Sequence, residues 1–254
     1  MAENDMTPVI PDPKKLRRTA FALVVVMVVG GVLILKAYEK RAQESSEDNR
    51  PSFLTQISAP KDLIYMRQDG EIKELIALKG KVLVLQSLAK SQPDETVTGA
   101  MKALSEKFAE REDVVLVTLM LDPGKSDELG GQLKGLAEEL GAELPHWIVA
   151  SNERPTLHKF IKNEFKANML PYEEGGEWHY DRSLVLIDKN RHVRRAVVPQ
   201  KRGGAPFVAA FDFEQAENWD EEGIKTGTEL SNVEQLENLL ADTIEILLEE
   251  KAKP

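Results

Sequence analysis

The alternation of apolar and polar positions divides the chain into an anchor, a polar stretch and one folded domain. From Thr19 to Leu35 no residue is charged, and Val, Leu, Ile, Met, Phe and Ala dominate. With Ala37 and Tyr38 beyond Lys36, the run approaches the roughly 20 residues that cross a bilayer. It predicts a transmembrane helix over 19–38, with Lys36 snorkelling and Tyr38 at the interface. A buried core helix fits poorly, because a run this long is preceded by Lys14, Lys15, Arg17 and Arg18. A cleaved signal peptide fits poorly too. The run is followed by Lys36-Ala-Tyr-Glu-Lys-Arg41, with no small-residue cleavage pattern. The basic excess on the N-terminal side is one charge, which places residues 1–18 in the cytoplasm as a short tail.

Residues 39–58 read as a tether, most plainly in the polar, charged run Gln43–Pro51. The remaining residues, 59–254, then alternate between two periods. Leu63–Gln68 and Glu71–Leu78 read as strands about the turn Asp69-Gly70. Val82–Leu85, Val114–Leu121, His146–Ala150 and Ser183–Asp188 are short continuous apolar runs of the kind buried on both faces of a sheet. Between them, Thr96–Ala109, Asp127–Leu140 and Pro155–Phe165 carry apolar residues at helical spacing. His192–Val198 reads as a return strand. Ser231-Asn-Val-Glu234 is a capping box that opens a last helix with a stripe at Val233, Leu236, Leu239, Leu240, Ile244 and Leu247. The order predicts an α/β fold, a mixed sheet flanked by helices. Residues 199–228 are broken by Gly203-Gly204 and Pro206 and crowded with acids, and read as an acidic insert.

Composition narrows the chemistry. The chain of 254 residues has a net charge of −10, which argues against nucleic acid as a partner. It has no cysteine, so disulfides, thiolate nucleophiles, thiol–disulfide exchange and thiolate metal sites are excluded. No phosphate-cradling glycine loop surrounds Gly130-Gly131 or Gly203-Gly204, so no nucleotide is expected. No G-x-S-x-G or H-E-x-x-H motif occurs, and no catalytic constellation suggests an enzyme.

Several blocks, in order, resemble the SCO/SenC family of membrane-anchored, thioredoxin-like proteins. They are Met66-Arg-Gln-Asp-Gly70 with Leu78-Lys-Gly-Lys-Val-Leu-Val-Leu85, then Gln92-Pro93-Asp94-Glu95-Thr96, then Val117-Thr-Leu-Met-Leu-Asp122-Pro123, then Leu136-Ala137 and Trp147, and last Leu184-Val-Leu-Ile-Asp188. The resemblance implies a thioredoxin-like fold held by the inner (cytoplasmic) membrane on its periplasmic side. It also implies a role in copper delivery or thiol handling during respiratory oxidase assembly. The departures cut against that chemistry. Gln92 and Thr96 stand where the family has its two cysteines, around Pro93 and Asp94. Neither an amide nor a hydroxyl is a good ligand for Cu(I). The family's histidine before the Leu-Ile-Asp strand falls one residue from His179, or is replaced by Arg182.

Two readings therefore stand. In the first, the chain is a redox-inactive, bilayer-tethered binding or assembly factor for another envelope protein, with no cofactor. Its partner surface is then the Gln92–Thr96 loop, or the aromatics Phe211, Phe213 and Trp219 of the acidic insert, unless those residues fold onto the domain. In the second, His179 with Glu173, Glu174, Glu177 and Asp181 forms a metal site for copper, against the plainer reading of a solvated acidic loop. Asp122 is expected to bond nearby backbone N–H groups. Trp147 and Trp178 are expected to pack, and His192 to lie on the surface.

Overall fold

The computed structural model describes residues 13–48, 51–125, 127–198, 206–224 and 228–252. The chain separates into two compact units, residues 1–48 and 49–254.

The described part of the first unit is one helix, α1 (Pro13–Asp48). Its segment Pro13–Lys36 has a mean hydropathy of 2.4 and buries none of its apolar window. Those 24 residues span about 36 Å at the usual rise per residue, enough to cross a hydrocarbon core. The helix is thus a candidate membrane anchor. It also runs through the first half of the expected tether. Residues 37–48 contain no Gly or Pro and are rich in Glu, Lys, Arg, Ala and Gln, so polarity here accompanies good helix propensity. The expected cytoplasmic tail lies outside the described residues up to position 12.

The second unit begins earlier than expected. Ser52–Gln56 forms β1, an edge strand on β10, and Phe53-Leu54 supplies its apolar content. The hairpin β2 (Ile64–Arg67) and β3 (Ile72–Glu74) follows, and Leu75–Leu78 is a turn of 3₁₀ helix rather than the strand's continuation. Then come β4 (Val82–Leu88), α2 (Glu95–Lys107), β5 (Val114–Met120), α3 (Leu129–Leu140) and β6 (Trp147–Ser151). After α4 (Arg154–Glu164), Tyr172–Glu174 and Glu177–His179 form a separate hairpin, β7 and β8. Gly175 and Gly176 turn it at positive φ of 63° and 88°, as a two-residue hairpin requires. Next are β9 (Val185–Ile187), β10 (His192–Val198), β11 (Phe207–Ala209), α5 (Phe213–Glu217) and α6 (Asn232–Glu249).

The main sheet runs β1-β10-β9-β4-β5-β6-β2-β3, with β11 added to β10. β4, β5 and β6 are parallel, with α2 and α3 as crossovers, while β9 is antiparallel to β4 and β10 to β9. A βαβ unit followed by an antiparallel β-hairpin and a helix is the thioredoxin motif, so the fold is thioredoxin-like with additions at both edges.

Alternation along the central strands makes two cores. Val82, Val84, Val114, Leu116, Trp147 and Val149 face α2, α3, α5 and α6, while Leu83, Leu85, Val115, Val117, Ile148 and Ala150 face α4 and the Trp178–Tyr180 segment. This two-sided burial is why the strands read as unbroken apolar runs. The helix-side core holds one polar group of three. Gln86 Nε2 and Trp147 Nε1 both donate to Thr118 Oγ1, at 2.8 and 3.0 Å.

α6 starts at the expected capping box and buries Leu236, Leu240, Ile244 and Leu247. His192 is half-buried rather than fully on the surface. Its ring donates to the buried Asp188 at 3.0 Å, and Arg194 links Asp188 to Glu250 and to the Pro51 carbonyl. Burial alone would raise the Asp188 pKa, but hydrogen bonds from His192, Arg194 and Asn190 outweigh it and hold the carboxyl low.

Candidate functional site

The loop Ala89–Asp94 leaves the C-terminal end of β4 and enters α2. Thioredoxin folds carry reactive groups here, because a helix N-terminus and the ends of parallel strands converge. Asp122, at the end of β5, holds the loop from below. Its carboxylate accepts the Lys90 N–H at 2.7 Å, the Ser91 N–H at 3.0 Å and the Ser91 hydroxyl at 2.9 Å. The expected backbone bonding of Asp122 is therefore real, but it reaches across the chain rather than within its own turn.

Gln92, Pro93, Asp94 and Thr96 are all brought to this loop, and the two polar groups flanking Pro93 are committed. Gln92 Oε1 accepts the Trp178 N–H at 2.8 Å, and its carbonyl accepts the Tyr180 hydroxyl at 3.1 Å. Asp94 caps α2 by accepting the Val97 N–H at 3.0 Å and meets Arg182 Nη1 at 3.4 Å. Pro93 and Thr96 remain exposed. Gln92 thus acts as a staple between the loop and the strand that ends the β7–β8 hairpin.

Beneath the staple lie residues that sequence reasoning left unassigned. His158 of α4 contacts the Leu121 carbonyl through Nε2 at 2.9 Å and meets Trp178 edge-on at 5.8 Å. Arg154 covers the same indole at 5.5 Å, and Arg182 lies 5.6 Å from the Tyr180 ring centre. Burial lowers the His158 pKa and raises that of Tyr180. The helical spacing of apolar residues in Pro155–Phe165 gave no role to His158, which lies between the buried Leu157 and Phe160.

The fit of the loop to copper is poor on donor chemistry alone. It presents an amide, a carboxylate serving as a helix cap, and a hydroxyl, none of them a soft ligand. His179 stacks on Tyr172 at 4.8 Å in the hairpin. Among the described residues no three His, Asp or Glu groups converge to hold a metal. The Glu173, Glu174 and Glu177 side chains belong to the exposed hairpin, while Asp181 is buried and accepts the Asn168 and Ser183 N–H groups. The imagined His179 cluster is therefore not assembled.

Of the two readings of the insert, folding onto the domain is the one the structure shows. Phe211, Phe213 and Trp219 are buried in the helix-side core, Trp219 with no exposure at all. They belong to β11, α5 and their flanks, and so are packing residues rather than a partner surface. The Gly203-Gly204 part of the insert lies outside the described residues.

No family model matches the chain, and no curated protein matches it. Solved structures are similar in fold. BsSco, a member of the Sco family of cytochrome c oxidase assembly proteins, has a TM-score of 0.48 at 21% identity, over 58% of this chain and 84% of its own. A SCO1/SenC family lipoprotein from Bacillus anthracis str. Ames gives 0.47 at 20% identity, over 71% and 92%. Copper-bound ScoI of Arabidopsis thaliana gives 0.41 at 19% identity, over 52% and 83%. The fold assignment itself rests on the strand order and connections of this chain.

Proposed function

We propose that the chain is a membrane-tethered, SCO/SenC-like module that binds another envelope protein and performs neither thiol nor copper chemistry. Its N-terminus lies in the cytoplasm, α1 crosses the inner membrane, and the thioredoxin-like domain works on the periplasmic side. A place in respiratory oxidase assembly follows the motif resemblance. The observation that carries the reading is the loop at α2. Its scaffold is kept, while a chain with no cysteine uses Gln92 to tie the loop to Trp178 and Asp94 to cap α2. An intact scaffold whose reactive position serves as a staple suits recognition better than turnover.

The test is recovery of the tagged full chain from crosslinked membranes of its own cell, beside a chain ending after residue 48. The reading expects a protein that depends on the domain. Recovery of the same proteins by the anchor alone would sink it.

A further inference from the structure

At the β3 end of the sheet α3 packs against β2 but leaves Ile64 and Ile72 exposed. Met66 pairs with Ile72, so Ile64, Met66 and Ile72 share one face by strand alternation. Ile64 is 52% exposed and Ile72 67%. With Pro123 and Leu129 they line an open groove of about 760 Å³.

Charge says more about what fits. Lys125 and Arg154 stand exposed along the groove, and among its described lining residues Glu153 is the one carboxylate. Neither cation forms an ion pair among the described residues, and Arg154 instead covers the face of Trp178. In a chain of net charge −10, unpaired cations beside exposed isoleucines favour an apolar ligand that carries an acid. The groove is linked to the stapled loop through neighbours of its lining residues. Pro123 follows Asp122, which holds Lys90 and Ser91, and Trp178 donates to Gln92.

We propose that this groove binds an extended apolar segment of the partner protein, laid across Ile64, Met66 and Ile72, with an acidic side chain placed between Lys125 and Arg154. The inference rests on the binding-module reading and names its surface.

The full chain in lipid nanodiscs is panned against a displayed library of random 12-residue peptides, and enriched peptides are measured by fluorescence anisotropy. Expected are peptides that alternate apolar residues and carry one Asp or Glu. Ile72→Glu and Lys125→Glu, both at exposed positions, should each weaken them by about tenfold or more without altering thermal unfolding. Replacing the peptide's acid with Ala should remove most of the Lys125→Glu effect. Enriched peptides whose affinity is unchanged in both variants would overturn the groove and leave the binding-module reading intact. No enrichment over empty nanodiscs would overturn the groove as well, while the module reading would still be judged by partner recovery from membranes.

Discussion

Replacing Thr118 with Val should cost far more than its shape suggests. Thr118 is fully buried in the central strand β5 and accepts from two buried donors, Gln86 Nε2 at 2.8 Å and Trp147 Nε1 at 3.0 Å. Valine keeps the volume and removes the acceptor. Each donor left unsatisfied costs about 1–3 kcal/mol, and the added methyl returns about 0.8 kcal/mol. The net loss should be about 1–5 kcal/mol. Thr118→Ser keeps the hydroxyl and loses one methyl, for about 1 kcal/mol. Urea unfolding of residues 49–254, followed by tryptophan fluorescence, reads the difference directly. The Val variant should unfold about 0.5–2.5 M earlier than the parent, and earlier than the Ser variant. A Val variant as stable as the Ser variant would refute the reasoning, because hydrophobic volume would then outweigh the polar trio.

Other outcomes follow from the same contacts. Titration with Cu(I) and Cu(II) should give no stoichiometric binding that His179→Ala abolishes; binding lost in that variant would restore the metal reading. Trp219→Ala should destabilise the domain by about 3–5 kcal/mol, and a near-neutral result would return the insert's aromatics to the surface. Burial, only partly offset by the Leu121 carbonyl, keeps the folded His158 pKa below its ordinary value. The unfolded chain therefore takes up this proton first as pH falls through about 6.5. Stability present above that pH is lost on acidification, by at most about 1.4 kcal/mol per pH unit. His158→Gln should flatten this part of the stability profile; an unchanged slope would assign it to other groups.

Much of the fold was legible because its strands are buried on two sides. Val82–Leu85 and Val114–Met120 have cores above and below, so no polar alternation hides them. The Ser231 box was legible because a cap is local chemistry. What failed was non-local. Phe53-Leu54 gains meaning as a strand only from β10, far along the chain. Phe211, Phe213 and Trp219 sit among acids, so the sequence alone left inward packing and a partner surface both open. The β7–β8 hairpin had its Gly175-Gly176 signal, but the surrounding glutamates made it look like a loop. At the site, the sequence located Gln92 and excluded thiol chemistry, yet the partner of the Gln92 amide lies 86 residues away. No spacing rule anticipates such a bond.

The central claim is that the domain recognises a partner without thiols or copper. The most direct measurement is recovery of that partner by the tagged full chain from its own membranes, with and without a reductant and a Cu(I) chelator. The account predicts the same partner in equal amount under both conditions, and none with the anchor alone. A partner lost on reduction or chelation would contradict it, since recognition would then depend on the chemistry that Gln92 and Thr96 have been taken to replace.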